Sequence, residues 1–398
     1  MKRKILRILL TAAAALCIMQ TKEIYAFGFD SVKNFFQGDK EEYTPEEELE
    51  NQLMKAIEDR EEKVVIKKTK EYEESGIWEQ IRVAANDIVE ENPELYWVKI
   101  STGYSLLGGT REEQDKGNIR TFPLTYLDEK EVERRQEEID EAAREILDRV
   151  PEGCSDWEKA KFVHDLLISE ITYEDGEDAD NLYGALVMKK CVCNGYCMAY
   201  EYLLKKLGIS CDTVAGYTTE MAREINESST IPLMAGHAWN KVAITEDGER
   251  KSFYVDVTWD DRDRKDSQGR EYITYQWFGV SDEDMEKAGR CTSLRKEEEN
   301  TAAEADDCSY YSRMDAVLGS YDQETIAAAF QRQLEEGNNV LTLRWRTWEE
   351  YQEGLTNLID RQEIYTVLSS LGLDIRQYSY EAERTVDDQK PYVLNIYL

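Results

Sequence analysis

The chain has 398 residues, 41% of them hydrophobic and 10% aromatic, with only 6 prolines. That is enough apolar material for two or three packed domains and too much for a disordered or collagen-like chain. Lysine and arginine number 49 against 83 aspartates and glutamates, a net charge of −34, so no basic field exists to hold a polyanion and no nucleic-acid partner is expected.

Lys2, Arg3, Lys4 and Arg7 precede an apolar run from Ile8 to Met19, and the small residue Ala26 follows. This is the pattern of a secretory signal peptide over residues 1–26; the run is shorter than the roughly 20 residues a spanning helix needs. The mature chain is therefore expected to be secreted or at the cell surface, membrane-attached only if that segment stays uncleaved. Beyond Cys17, seven cysteines remain at 154, 191, 193, 197, 211, 291 and 308, an odd number that leaves at least one thiol unpaired.

Residues 27–127 read as an N-terminal α+β module. TPEEELENQLMKAIEDREE, from Thr44, starts as helices do, with a capping residue, a proline in the first turn and early acids. KVVIKK is a strand, SGIWEQIRVAANDIVEEN an amphipathic helix, and LYWVKISTGYSLL and NIRTFPLTYL further strands. Residues 128–150 form a charged connecting helix with a thin apolar stripe. Pro151 and Gly153 break the chain, Ser155 and Glu158 open a new helix as a capping box, and residues 151–300 are expected to form an α+β core. In residues 301–398 the α-β-α-β-β order of the first module recurs: DQETIAAAFQRQLEEG, NVLTLRWR, a helix from Trp348 to about Leu371, LDIRQYSYEAE and KPYVLNIYL. A duplicated module is one explanation, and it requires the same strand order in both copies.

The chemistry concentrates in KKCVCNGYCMAYEYLLKKLGIS, where a glycine-containing loop enters a helix that ends at Gly208. Cys193 falls at the helix start, facing unpaired N–H groups and the positive end of the dipole, a setting that favours thiolate. The chain has just two histidines. His164 lies among Phe162, Leu166 and Leu167 and reads as a packed helix residue; His237, at the start of HAWNKVAIT, is the candidate base. HAWNKVAITEDGERKSFYVDVTWDD reads as a hairpin turning at Asp247-Gly248. Its registers put Asp256 either diagonal to His237, with Thr258 directly opposite, or directly opposite itself; both place the acid on the imidazole's face. A carboxylate there orients the ring and stabilises its charged form.

The runs GALVMKKCVCNGYCMAYEYLLKKLGI, GHAWNKV and YVDVTWDD, in that order, resemble the transglutaminase-like superfamily of papain-type thiol enzymes over roughly residues 155–262. The resemblance implies a papain-like core with the nucleophile helix packed on an antiparallel sheet, here flanked by two small α+β modules. It carries the catalytic roles onto Cys193, His237 and Asp256 and implies a Cys-His-Asp triad working through a thioester on peptide or glutamine carboxamides. The substrate expected is a protein or peptide at the cell surface, with no cofactor or metal. The family's use of an upstream aromatic as a second oxyanion donor points to Tyr183, while Trp239 and Trp259 are expected as walls of the site. Cys197 departs from the small residue expected there, and Cys191 crowds the nucleophile. A zinc site at Cys191, Cys193 and Cys197 lacks paired C-x2-C spacing, and neither EDGEDAD nor DDRDRKD fits a calcium loop. The rival from another class is an inactive surface protein that uses the same fold to bind or scaffold peptides.

Overall fold

Acids at the front of PEEELENQLMKAIE and apolar residues every three or four positions build helix α1 (Pro45–Glu58). Its buried face, Leu49, Leu53, Ala56 and Ile57, packs on Val64, Ala84, Ala85, Ile88, Val98 and Leu124. The computed structural model describes residues 45–67, 84–85, 88–89, 92–99, 119–218, 236–261, 272–292, 306–338, 340–382 and 392–398. The predicted signal segment and leader, most of the second predicted helix and most of LYWVKISTGYSLL lie outside the described residues. The chain divides into two units, Met1–Glu141 with Tyr202–Gly208, and Ala142–Glu201 with Ile209–Leu398.

In the first unit, strands β1 (Lys63–Lys67), β2 (Val98–Lys99), β3 (Ile119–Pro123) and β4 (Thr125–Tyr126) pair antiparallel, β1 with β3 and β2 with β4. The predicted strand NIRTFPLTYL is thus two short strands meeting at Leu124. Its neighbour Pro123 offers no N–H to continue a ladder. The Arg60 guanidinium lies 4.5 Å over the Trp97 ring and donates to the Leu127 carbonyl at 2.9 Å. Helix α2 (Glu129–Leu147) buries Arg135 and the apolar stripe Ile139, Ala143 and Ile146.

The second unit opens with α3 (Asp156–Glu170), capped by the reciprocal Ser155–Glu158 box its sequence announces. Strands β5 (Thr172–Tyr173) and β6 (Lys190–Cys191) pair parallel and lead into α4 (Cys193–Lys206). Tyr196, Met198, Ala199, Tyr200, Leu203 and Leu204 are all buried, so α4 is covered on most of its circumference, as a central helix is. It is held against strands β7 (Ser210–Thr218) and β8 (His237–Glu246) by hydrogen bonds. The buried Glu201 carboxylate accepts from the Thr213 N–H at 2.8 Å and its hydroxyl at 2.6 Å, and Asn240 Nδ2 donates to the Cys197 carbonyl at 3.1 Å.

With β9 (Glu249–Val255), β10 (Phe278–Val280) and β11 (Arg290–Thr292), these strands form a five-stranded antiparallel sheet ordered β10-β9-β8-β7-β11. The β8–β9 hairpin turns at Asp247 and Gly248, both at positive φ, the two-residue geometry that Asp-Gly favours. One expectation is corrected: the strand stops at Val255, so Thr258 does not pair with His237 but sits in a short helix, α5 (Val257–Asp260). Helix α6 (Asp282–Lys287) connects β10 to β11.

Helix α7 (Tyr310–Arg313) leads to a four-stranded sheet ordered β12-β13-β15-β14, made of β12 (Val317–Leu318), β13 (Val340–Trp345), β14 (Ser379–Ala382) and β15 (Tyr392–Tyr397). Helices α8 (Gln323–Glu335), α9 (Trp348–Leu355) and α10 (Ile364–Ser370) accompany it. The single helix expected from Trp348 to Leu371 is interrupted by a π turn at Thr356–Asp360 and by Gln362 at φ 61°. The boundary drawn near residue 300 does not separate units. Trp157 Nε1 donates to the Cys308 carbonyl at 2.8 Å, Arg313 grips Glu246 with two 2.7 Å bonds, and Arg344 bonds Asp284 at 2.6 Å. In both flanking segments the first strand pairs with the third and the third, or its continuation, with the second. The N-terminal strands lie in two separate two-stranded sheets and the C-terminal ones in a single four-stranded sheet.

Candidate active site

The loop before α4 is fixed by its own backbone. The Val192 N–H donates to the Ala179 carbonyl at 2.8 Å, and Asn194 Nδ2 to the Asp180 carbonyl at 3.0 Å. Gly195 has to be glycine: a Cβ there would stand 2.5 Å from Cys191 Cβ and 2.7 Å from the Ala179 oxygen. The close approach of loop and helix leaves Cys193 half-buried as the first residue of α4, among N–H groups without intrahelical partners.

His237 begins β8 and is nearly buried; its Nε2 lies 2.8 Å from Asp256 Oδ2. Cys193 lies close enough to the same ring to help hold its proton. Burial works against the charged imidazole. The Asp256 carboxylate, helped by Cys193, outweighs it and holds the His237 pKa up at about 9, so the ring carries a proton at neutral pH.

Asp256 divides its two oxygens. Oδ1 accepts from the Trp259 N–H at 3.0 Å and caps α5, which is why β9 ends there; Oδ2 serves His237 and Arg290 Nη1, the latter at 2.6 Å. Burial alone would raise this carboxyl, but the charges of His237 and Arg290 and their hydrogen bonds hold it below the usual carboxylate range.

Arg290, from β11, was not among the residues singled out in the sequence. Its fully buried guanidinium lies 4.0 Å from the ring centroids of both Trp259 and Trp277. No spacing signal links it to Asp256, 34 residues away and three strands across the sheet; only the order β9-β8-β7-β11 brings them together. Tyr173 was missed too. It stands opposite Cys191 in the β5–β6 pair and is 48% exposed. Partial burial, then the nearby charges of Cys193, Asp175, Cys191 and Asp256, push its phenol above the ordinary value.

The expected surrounding residues separate. Trp259, 37% exposed with its ring 5.5 Å from His237, remains partly open beside the imidazole. Trp239 is corrected from wall to core: it is fully buried in a cluster with Tyr254, Trp277, Val280 and Met285, so it offers no surface to a ligand. Tyr183 is buried at the start of a π turn, Gly184–Met188, and its N–H donates to Asn181 Oδ1 at 2.9 Å. His164 is fully buried between Asp165 (2.9 Å) and Asp260 (3.3 Å), a packed residue as its sequence context suggests. Cys154, Cys191, Cys193, Cys197, Cys211 and Cys308 carry free thiols. Burial raises Cys191 and Cys197 well above the ordinary thiol range. Among the described residues no group of three or more His, Cys, Asp or Glu side chains converges as metal ligands would.

No curated protein matches the sequence. Among solved structures the chain is similar to one described as a TGase, at 13% identity over 39% of this chain and 44% of that one, with a TM-score of 0.26. It is also similar to a candidate protease from Parabacteroides distasonis (11% identity, 38% and 34% of the two chains, TM-score 0.22). A third is menin (14% identity, 62% and 60%, TM-score 0.24). The matched region spans less than half the length of the first two. Residues 141–257 match the family model of the Transglutaminase-like superfamily, and this mixed helix-and-sheet segment, which carries Cys193, His237 and Asp256, is a transglutaminase-like domain.

Proposed function

We propose that the chain is an exported cysteine enzyme that performs acyl transfer or hydrolysis on peptide or glutamine carboxamides, with Cys193, His237 and Asp256 as its triad on a papain-like core. The observation that carries this reading is one imidazole, nearly buried and bonded to Asp256 on Nε2, with Cys193 close enough to help hold its proton. A charged imidazole beside a thiol favours the thiolate, which is the nucleophile.

Cys193 Sγ adds to the carboxamide carbon. The oxyanion formed meets the free N–H groups at the start of α4. The C–N bond then breaks as His237 gives its proton to the departing amine or ammonia, leaving a thioester. A second amine or a water attacks that thioester, His237 takes the incoming proton, and the thiolate leaves. Tyr173 and Trp259, the exposed aromatics beside the reacting groups, form the walls that a peptide would contact. The Tyr173 phenol, within reach of the charge on Cys193, suits the aromatic at the mouth. Export rests on the basic and apolar order of residues 2–19, and a cell-surface peptide substrate follows from it.

The test is ammonia release from glutamine peptides, with and without a primary amine, by the wild-type protein and Cys193→Ala, beside alkylation of Cys193 with and without His237. Turnover lost in Cys193→Ala, and alkylation slowed at least tenfold in His237→Ala, are expected. Turnover retained without Cys193, or alkylation indifferent to His237, refutes the assignment.

A further inference from the structure

In a thiol-imidazole-carboxylate site the carboxylate's charge ordinarily belongs to the imidazole. Here it does not. Asp256 Oδ2 is shared by His237 Nε2 at 2.8 Å and Arg290 Nη1 at 2.6 Å. Among the described residues, Arg290 Nε and Nη2 have no hydrogen-bond partner, and Asp256 is the one anion bonded to its guanidinium. The rest of that charge is met by the faces of Trp259 and Trp277, each 4.0 Å away. Trp259 is the same ring that flanks His237.

The geometry points to Arg290 as a positioning residue for the reaction centre: its guanidinium, fixed between Trp259 and Trp277, takes a share of Asp256 Oδ2 and so limits how firmly the carboxylate holds the His237 proton. This rests on reading Cys193, His237 and Asp256 as one centre. Among the described residues, the charged groups around His237 are Cys193 from α4 and Asp256 from the β9–α5 junction, with Arg290 from β11 on the far side of Asp256 Oδ2 and the Tyr173 phenol from β5 near Cys193 and Asp256. Arg290 is the permanent cation of this set. His237 has to release its proton to the leaving amine, and an imidazolium paired with an undivided carboxylate is a weaker acid. The guanidinium and imidazolium nitrogens share one acceptor and so stand about 5 Å apart. At an effective dielectric of about 20 and that separation, removing the guanidinium charge raises the His237 midpoint by about two pH units.

Because the chain has two histidines, side-chain NMR of histidine-labelled full-length protein follows each titration separately, with His164 as an internal check that the variant is folded. Arg290→Gln and Arg290→Met are expected to raise the His237 midpoint by one pH unit or more and to lower kcat several-fold with little change in KM. Arg290→Lys, which keeps the charge, is expected to titrate within a few tenths of wild type. A neutral variant that titrates like wild type overturns the inference, as does a lysine variant displaced as far as the glutamine one, which would mean that only packing matters. Should neither neutral variant fold, the wild-type protein decides. The guanidinium resonances of one solvent-protected arginine must move at the His237 midpoint, and their indifference to it overturns the inference. Alkylation of Cys193 that ignores His237 would fail the triad reading, while the titrations still judge Arg290 by themselves.

Discussion

Asp256→Asn removes one charge and keeps the shape, which makes it the sharpest perturbation of the site. Asparagine can still accept from His237 Nε2 and from the Trp259 N–H through its carbonyl oxygen, though not from both at once. In the wild-type protein the imidazole titrates at about 9 although burial opposes its charge, and Asp256 is the chief cause of the rise. Without the carboxylate, burial and the adjacent Arg290 both act against the proton, so the midpoint falls to the ordinary 6.5 or below. A fall of more than two pH units corresponds to about 3 kcal/mol of lost preference for the imidazolium. At pH 7.5 the protonated fraction drops from nearly all to about one-tenth or less, and Cys193 alkylation is expected to slow about tenfold or more on that account alone. Arg290 is left buried beside a neutral amide, so stability also falls, by about 3–5 kcal/mol. Histidine NMR gives the midpoint, alkylation followed by peptide mass spectrometry gives the rate, and urea unfolding gives the stability. A folded Asp256→Asn protein whose His237 still titrates near 9 refutes the electrostatic account of the site.

Gly195→Ala places a Cβ against Cys191 Cβ and the Ala179 carbonyl, so the start of α4 must shift; a loss of about 2–4 kcal/mol in urea unfolding is expected, and a midpoint unchanged from wild type would contradict the packing. Asp260 bonds His164 at 3.3 Å and accepts from the Trp277 N–H at 3.1 Å, so Asp260→Asn leaves a buried histidine with Asp165 alone. A cost of about 3 kcal/mol and a lowered His164 midpoint are expected by urea unfolding and NMR. His237 has a folded pKa raised to about 9 from its ordinary 6.5; the stability this contributes is fully present below about pH 6.5 and is lost as the pH rises through about 9. Wild-type urea midpoints should therefore decline across that interval by an equivalent of up to about 3 kcal/mol, and those of His237→Gln should decline less. Parallel curves would show that His237 gains no such partner on folding.

Where one residue type in one local setting suffices, the sequence was enough. The capping box Ser155–Glu158, the Asp-Gly turn that sets the β8–β9 register, and the position of Cys193 at the first residue of α4 all depend on neighbours within a few positions, and each is found in the structure. His237 and Asp256 were legible as partners because a two-residue turn fixes which residues of a hairpin can meet. The contact itself is made differently: Asp256 leaves the ladder to cap α5 and reaches His237 from the strand's end, a competition between side-chain capping and backbone pairing that alternation does not reveal.

What lies beyond the hairpin came only with tertiary structure. Trp239 and Trp259 stand in similar contexts, Ala-Trp-Asn and Thr-Trp-Asp, yet one is sealed in the core and the other is open beside the imidazole. That difference is set by the sheet's facing and by the helix that interrupts β9. Tyr173 meets the site through a two-residue parallel pairing too short to leave a periodicity, and Arg290 joins Asp256 across three intervening strand contacts. Local sequence determined which residues could carry thiol chemistry and how two of them meet; the sheet order decided which charges surround them. Hydrogen bonding within turns and caps is encoded over a few residues, whereas the pairing of distant strands follows from burying the whole chain at once.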